Sequence, residues 1–256
     1  MSKKIVMIVI AVMLMATLLQ AQDEELGFTY DLQYHSKWLS KGVEAYGQQG
    51  AIFNKIDVDL YGSGWGVIVV HRNAISDGYV DSQRFDYRPY YKSQVFQEES
   101  YATNYNISVG YEHYYGRTRH KANTTWEWVG AFSWPNILKS GIVPSYIVHY
   151  ETPVSGGDAN RKVAGWMHRF RLGYDLQAPE LTVQPLHLSA ELAYDDGFGA
   201  GSDHDWSYAT FGVSTKFKIT ENLSFIPGLY QQISMEDTTA TRKDITYTIL
   251  TMKYKF

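Results

Sequence analysis

The side chains of this chain that could do chemistry are charged residues recurring at every second position. Arg84, Asp86, Arg88 and Lys92 share one parity within a single segment, and so do Lys55, Asp57 and Asp59 in another. Arg169 with Arg171, and Lys216 with Lys218, repeat the pattern further on. Glu112, Glu127, Glu151 and Glu191 each fall at the matching parity of their own segments. Alternate residues of an extended chain point to the same face, so each segment carries one charged face and one apolar face. If those charged faces line a common space, opposed charges across it would orient and screen polar solutes. Paired between neighbouring strands, as Arg84 with Glu112 or Arg171 with Glu191, the same residues would be salt bridges that stiffen a wall. Acids and bases are nearly equal in number and group by strand, which argues against a simple filter for either sign.

No other constellation carries chemistry. The chain has no cysteine, which excludes disulfides, thiolate metal sites and thiol nucleophiles together. Ser93 and His113 lie on adjacent segments, but a hairpin register puts them at opposite ends, beyond the hydrogen-bond reach a nucleophile and its base require. His35, His149 and His187 fall on the charged face and read as hydrogen-bonded wall residues. The stretch from Asp195 to Asp205 is dense in oxygen donors and glycine, the ligand type hard cations take. Its spacing matches no known calcium loop, and it reads as a solvated surface loop. No catalytic residue, metal or cofactor is expected, and the chain is not expected to be an enzyme. The net charge of −4, from 23 basic and 27 acidic residues, gives no bulk attraction to nucleic acid.

These faces belong to an all-β protein. The 256 residues show period two almost throughout, as in Phe28, Tyr30, Leu32 and Tyr34 or Leu186, Leu188, Ala190, Leu192 and Tyr194. Twelve strands are expected, near 27–37, 50–62, 64–73, 83–96, 102–115, 121–134, 142–152, 162–176, 181–195, 205–219, 222–233 and 243–256. Most are about twice the length of a soluble strand and suit a tilted bilayer crossing. Tight joints such as Gly62-Ser63-Gly64 alternate with longer polar ones such as Trp38–Gln49 and Asn73–Ser82. An even strand count with short turns on one side and long loops on the other implies a transmembrane antiparallel β-barrel with both termini periplasmic. A soluble β-sandwich also alternates, but its strands are shorter. Trp38, Trp65, Trp134, Trp166 and Trp206 near strand ends also favour the barrel, where such rings lie at the headgroup level. The third strand departs from the pattern. Trp65-Gly66-Val67-Ile68-Val69-Val70 is apolar on both faces, so either it forms an apolar patch in the lumen or something packs over it from inside.

Lys3 and Lys4, the apolar run Ile5–Leu19 and the small residue Ala21 make residues 1–21 a secretory signal peptide, with the barrel over 22–256. The run is short of the roughly 20 residues a helix needs to cross a bilayer. The last strand ends on Phe256, with Tyr254 and Met252 on the same face. It resembles a terminal assembly signal, implying the barrel-assembly machinery as a partner. Outer-membrane lipid and small polar solutes are the other partners expected, with a monomer as the oligomeric state.

Over about residues 28–91 the chain resembles the TorF-like porin family, outer-membrane barrels of largely unassigned function. The matching features are the Tyr-rich first strand leading to Ser40-Lys41-Gly42, then Gln48-Gln49-Gly50-Ala51, and Phe53 with Asp57. The Gly62-Ser63-Gly64-Trp65-Gly66 hairpin and Phe85-Asp86-Tyr87 with Tyr90-Tyr91 complete them. Lys41 stands where an Arg would be expected. The resemblance implies passive transport and names no substrate. Taken together, the expectation is an outer-membrane channel of a Gram-negative bacterium, passing small hydrophilic solutes through a charged lumen. The alternative is a closed barrel acting structurally, or in surface interactions, through its extracellular loops.

Overall fold

Period-two patterning becomes strand wherever it occurs in the computed structural model of the chain. The structure describes residues 25–46, 49–75, 83–115, 124–154, 164–179, 184–198, 204–235 and 244–256. The expected signal peptide lies outside them. The strands in chain order are β1 (Gly27–His35), β2 (Leu39–Ser40), β3 (Val43–Glu44), β4 (Ala51–Asp59), β5 (Trp65–Ala74) and β6 (Gln83–Val95). There follow β7 (Thr103–Tyr115), β8 (Thr125–Ser133), β9 (Val143–Pro153), β10 (Gly165–Leu176) and β11 (Leu186–Asp196). The last are β12 (His204–Thr215), β13 (Phe217–Lys218), β14 (Leu223–Ser234) and β15 (Ile245–Lys255). Twelve are long, from 9 to 13 residues. The pair β2–β3 is a separate small hairpin, and β13 is a stub beside β14.

The long strands pair antiparallel with their neighbours in sequence, and the ladder closes on itself. β1 pairs with β4 on one side and with β15 on the other, while β12 pairs with β14 across the β13 stub. The result is a closed twelve-stranded antiparallel barrel. Closure removes both sheet edges and satisfies the backbone polar groups internally, the condition for strands to cross a bilayer. The pairs Gly27↔Asp59 and Thr29↔Lys255 put both ends of the barrel sequence on the rim that carries the tight turns.

Burial is inverted relative to a soluble protein. Trp128, Ile107 and Phe211 are about half exposed on the outer face, whereas Asp86, Glu112 and Glu127 are 1 to 3% exposed inside. This is the arrangement of a barrel whose outside meets lipid. Aromatic pairs cluster at the ends of the strands: Tyr111 with Trp126, Tyr150 with Trp166 and Tyr194 with Trp206 towards the long-loop rim, Trp65 with Tyr91 towards the other. The expected strands match the observed ones closely. One that starts late is β11, which begins at Leu186. Pro185 immediately precedes it.

Trp38 is a correction. It is not at the membrane interface but inside the barrel, 3% exposed, because the first long connection turns inward. Within that connection β2 and β3 pair as Leu39↔Glu44 and Ser40↔Val43. Lys41 (φ 52°) and Gly42 (φ 83°) form the two-residue turn between them. Positive φ at both central residues gives the turn the twist that a two-residue hairpin needs. The stem is held by an apolar cluster in which Trp38 and Tyr46 pack with Ala51, Phe53, Val70 and Ala74, and Ile68 joins them. The two-faced apolar third strand is thereby explained, since the hairpin covers its inner face. Trp38→Ala is expected to destabilise the barrel by about 3 kcal/mol, the usual cost of emptying a large aromatic site. Urea-induced unfolding in detergent micelles checks this, and an unchanged midpoint would mean that the hairpin does not pack there.

Candidate functional site

Beneath the hairpin lies an interior cavity of about 1210 Å³. It extends from Ser40, Lys41 and Gly42 to Ser140, Gly141 and Tyr174 near the tight-turn rim. A second cavity of about 640 Å³, lined by Lys92, Asn104 and Asn106, shares Ser133 and Ser145 with the first. Of the charged positions singled out above, Arg84, Asp86, Arg88, Glu112, Glu127, Arg169, Arg171 and Glu191 line the larger cavity.

These charges are paired across strands as the registers dictate. Arg84 on β6 bonds Asp86 beside it (2.6 Å) and Glu112 on β7 (2.8 Å). Arg72 on β5 reaches the same Asp86 at 2.6 Å, with its guanidinium 4.8 Å from the Phe53 ring centre and 5.3 Å from that of Trp38. Arg88 bonds Glu127 and approaches Glu112 at 3.6 Å. Arg169 grips Glu191 with two nitrogens, at 2.7 and 2.9 Å, and Arg171 bonds the same carboxylate. Tyr208 adds a hydroxyl donor to Glu191 at 2.9 Å. A planar guanidinium facing a carboxylate through two bonds fixes both partners. The expected pairs Arg84–Glu112 and Arg171–Glu191 are thus both present.

The acidic side of the network converges. Oxygens of Glu112, Glu127 and Glu151, on three successive strands, lie within 4.8 Å of one another, and all three residues are buried. Three carboxylates so close repel strongly unless cations stand among them. Arg84 and Arg88 supply two, and the hairpin supplies the third. Lys41 Nζ is 2.8 Å from Glu127 and also bonds Glu151. It stands 4.7 Å from the Phe198 ring centre. Burial alone would lower the pKa of Lys41, but the charges of Glu127, Glu151 and Glu112 outweigh it and hold the ammonium above the ordinary lysine value. Gly42 is seated too. Gln232 on β14 donates to its carbonyl at 2.8 Å, and a Cβ there would lie 2.3 Å from the Tyr208 ring. The hairpin therefore touches β4 and β5 at its stem, β8 and β9 through Lys41, and β12 and β14 through Gly42.

The remaining charged candidates lie elsewhere. Lys55 approaches Asp31 at 3.4 Å, Lys92 bonds Asp59 at 2.6 Å, and Asp57 accepts from the Tyr90 hydroxyl at 2.9 Å. Lys216 and Lys218 are exposed beyond the end of β12. Glu151 faces Lys41. The histidines are hydrogen-bonded: His149 to Glu127 at 2.9 Å, His187 to Asp175 at 2.7 Å and His35 to Gln33 at 3.1 Å. Ser93 lies opposite Tyr105 and His113 opposite Phe85, so the register holds this pair far apart. Of the stretch 195–205, residues 199–203 lie outside the described ones. Asp195 accepts from the Phe198 amide at 2.6 Å, and Asp196 pairs with His204 at 2.5 Å.

No family model matches the chain, and no curated protein matches its sequence. Solved structures do. A KdgM porin in complex with disordered oligogalacturonate superimposes with a TM-score of 0.51 at 11% identity, over 90% of this chain and 99% of that one. The NanC porin gives 0.51 at 9% identity, over 89% and 98%. An outer membrane channel from Pseudomonas putida F1 gives 0.51 at 9% identity, over 92% and 98%. The fold is that of an outer-membrane β-barrel.

Sequence reasoning missed two residues of this barrel's interior. Arg72 follows the apolar run of β5, where both faces look alike and parity is hidden. Lys41 lies in a connection without any periodicity. The one signal for it is the combination of an apolar inner face on β5 with two aromatic residues, Trp38 and Tyr46, in a nominally polar loop. Removing Arg169 would leave Glu191 with Arg171 and Tyr208 alone. Arg169→Met is expected to cost about 2 kcal/mol, as losing charge-assisted hydrogen bonds in a half-buried pair does. Arg169→Met with Glu191→Gln should cost less than the two changes summed. A double-mutant cycle in urea measures the coupling, and strict additivity would deny the pair.

Proposed function

We propose that this chain is a channel in the outer membrane of a Gram-negative bacterium, through which small hydrophilic solutes diffuse passively. The observation that carries this reading is the cavity of about 1210 Å³ between hairpin and tight-turn rim, walled by charged and hydroxylated side chains. Twelve strands support it, since eight leave an interior that side chains fill and sixteen leave an open pore. Because the wall charges are paired within the wall, the lumen presents hydrogen-bonding groups rather than a track of one sign. Polar solutes of low net charge suit it better than acidic oligosaccharides. The aromatic residues at the strand ends support the membrane location; within this reading the long loops face outside, both termini are periplasmic and the barrel acts as a monomer. Phe256, 69% exposed and edge-on to Phe28 and Tyr254, suits a terminal signal for the assembly machinery. The register holds Ser93 and His113 too far apart to act as a nucleophile and its base.

We assign the chain to the neighbourhood of the TorF-like porins. The motif residues that carry this resemblance fall in two places, the hairpin with its seat and the tight-turn end of β4 to β6. Ser40-Lys41-Gly42 is the tip, Phe53 packs under Trp38, and Asp57 bonds Tyr90. The Tyr90 ring occupies the space that a Cβ at Gly66 would need, at 2.3 Å. The second reading, a closed barrel with a structural role, draws on the hairpin's reach across the lumen.

Single-channel recording of the refolded protein in a planar bilayer decides between them. Infrequent small openings are expected. A bilayer silent both for the wild type and for variants that free the hairpin tip, with insertion verified by heat-modifiable gel mobility, would select the closed barrel. Arg84 is too buried to report on ions, whereas the Arg171 side chain is 38% exposed to the cavity. Arg171→Glu is therefore expected to shift the reversal potential in a KCl gradient towards cation selectivity. An unchanged potential would remove Arg171 from the conduction path.

A further inference from the structure

We propose that the β2–β3 hairpin is a gate and that Lys41 is the latch holding it shut; this rests on the channel reading above. The two ends of the hairpin are held by different physics. Its stem is fixed by the aromatic packing of Trp38 and Tyr46 on Phe53, Val70 and Ala51, which does not let go in small steps. Its tip is held by polar contacts, chiefly Lys41 to Glu127 and Glu151 and Gln232 to the Gly42 carbonyl. Polar contacts can be exchanged for water or for a solute, so withdrawing the tip bares little apolar surface beyond the Tyr208 and Phe198 rings beside it. The tip can therefore swing about the stem.

The latch follows from the distribution of partners. Glu112 has Arg84 and Arg88, and Glu127 has Arg88 and His149 besides Lys41. Among the described residues, Lys41 is the one cation within ion-pair distance of Glu151. Withdrawing the tip leaves Glu151 to be compensated by water or by a cation arriving through the lumen. The closed state is thereby favoured at rest, and opening uncovers a carboxylate cluster where the lumen meets the long-loop side.

The chain's lack of cysteine makes a tether clean to test. A Cβ at Gly42 would lie 3.2 Å from Tyr208 Cγ. One further carbon–carbon bond of about 1.5 Å keeps the two Cβ atoms within roughly 4.7 Å, which admits a disulfide. Gly42→Cys with Tyr208→Cys should lock the gate when oxidised and release it on reduction. A side chain at the positive φ of position 42 strains the backbone, a cost that the reduced form, recorded as its own control, already carries. Lys41→Met should raise open probability about ten-fold or more, since it leaves Glu151 unpaired in the closed state. Adding Glu151→Gln should return the channel towards wild-type behaviour, because the orphan charge is gone. All are recorded in planar bilayers, with heat-modifiable mobility confirming each barrel. A rise in Lys41→Met, its reversal in the double variant and redox control of the tether support the gate, even if the wild type is silent. If every variant conducts as the wild type does in both redox states, the hairpin is a fixed constriction and the gate is overturned while the channel stands. If no variant conducts at all, the channel reading itself fails and the gate fails with it.

Discussion

Closing twelve strands edge to edge pairs the ladder N–H and C=O groups and leaves no free edge, but it also fixes the width of whatever lies inside. An eight-stranded interior is filled by the side chains of its own wall, and a sixteen-stranded one is left to water. The barrel here falls between. Its wall fills part of the lumen with ion pairs reaching inward from β6 to β11, and a segment of the chain's own backbone fills another part. The apolar inner face of β5 and the first inward residues of β4 would be unfavourable against water in an open lumen. Phe53, Val70 and Ala51 are stable inside because Trp38 and Tyr46 cover them. Barrel size, the break in patterning on β5 and the inward turn of the first long connection are one arrangement seen at three levels.

The parts of this arrangement that obey a period were legible in the sequence. Outside β5, strand alternation is clear because the outer face is largely apolar, and parity then assigns each charge to the inside. Parity combined with hairpin order also predicts which charges meet, and so Arg84–Glu112 and Arg171–Glu191 could be anticipated. What lacks a period was not legible. The hairpin strands β2 and β3 are two residues each, too short to alternate. A Trp near a strand end usually anchors at the interface, and Trp38 follows a strand end. Its partners instead come from β4 and β5, across a turn whose inward course depends on tertiary packing. Arg72 was hidden for a related reason, since the apolar residues before it obscure which face is which.

The charges inside are arranged so that no element is neutral alone while the network nearly is. β6 contributes two arginines and one aspartate to the larger cavity, β7 to β9 contribute Glu112, Glu127 and Glu151, and β10 with β11 sets two arginines on one glutamate. In a space where burial penalises every charge, neutrality between neighbours is the condition for keeping any of them ionised. The hairpin enters as part of that balance. Its single ammonium is placed where three successive strands have each offered a carboxylate.

A lysine suits that position for a physical reason. Its ammonium is a compact point charge with three donors, able to stand between Glu127 and Glu151 without choosing one. An arginine, the residue expected before the glycine, would present a planar fork that favours gripping one carboxylate through two bonds. Such a grip would leave the other acid less compensated and would fix the tip in one orientation. Ammonium pairs are held by charge more than by geometry, so they can slide between acceptors as the tip moves. Lysine on a Gly-terminated two-residue turn therefore gives a tip that is strongly attracted to its seat yet weakly oriented within it, whereas arginine would favour a tip that is pinned.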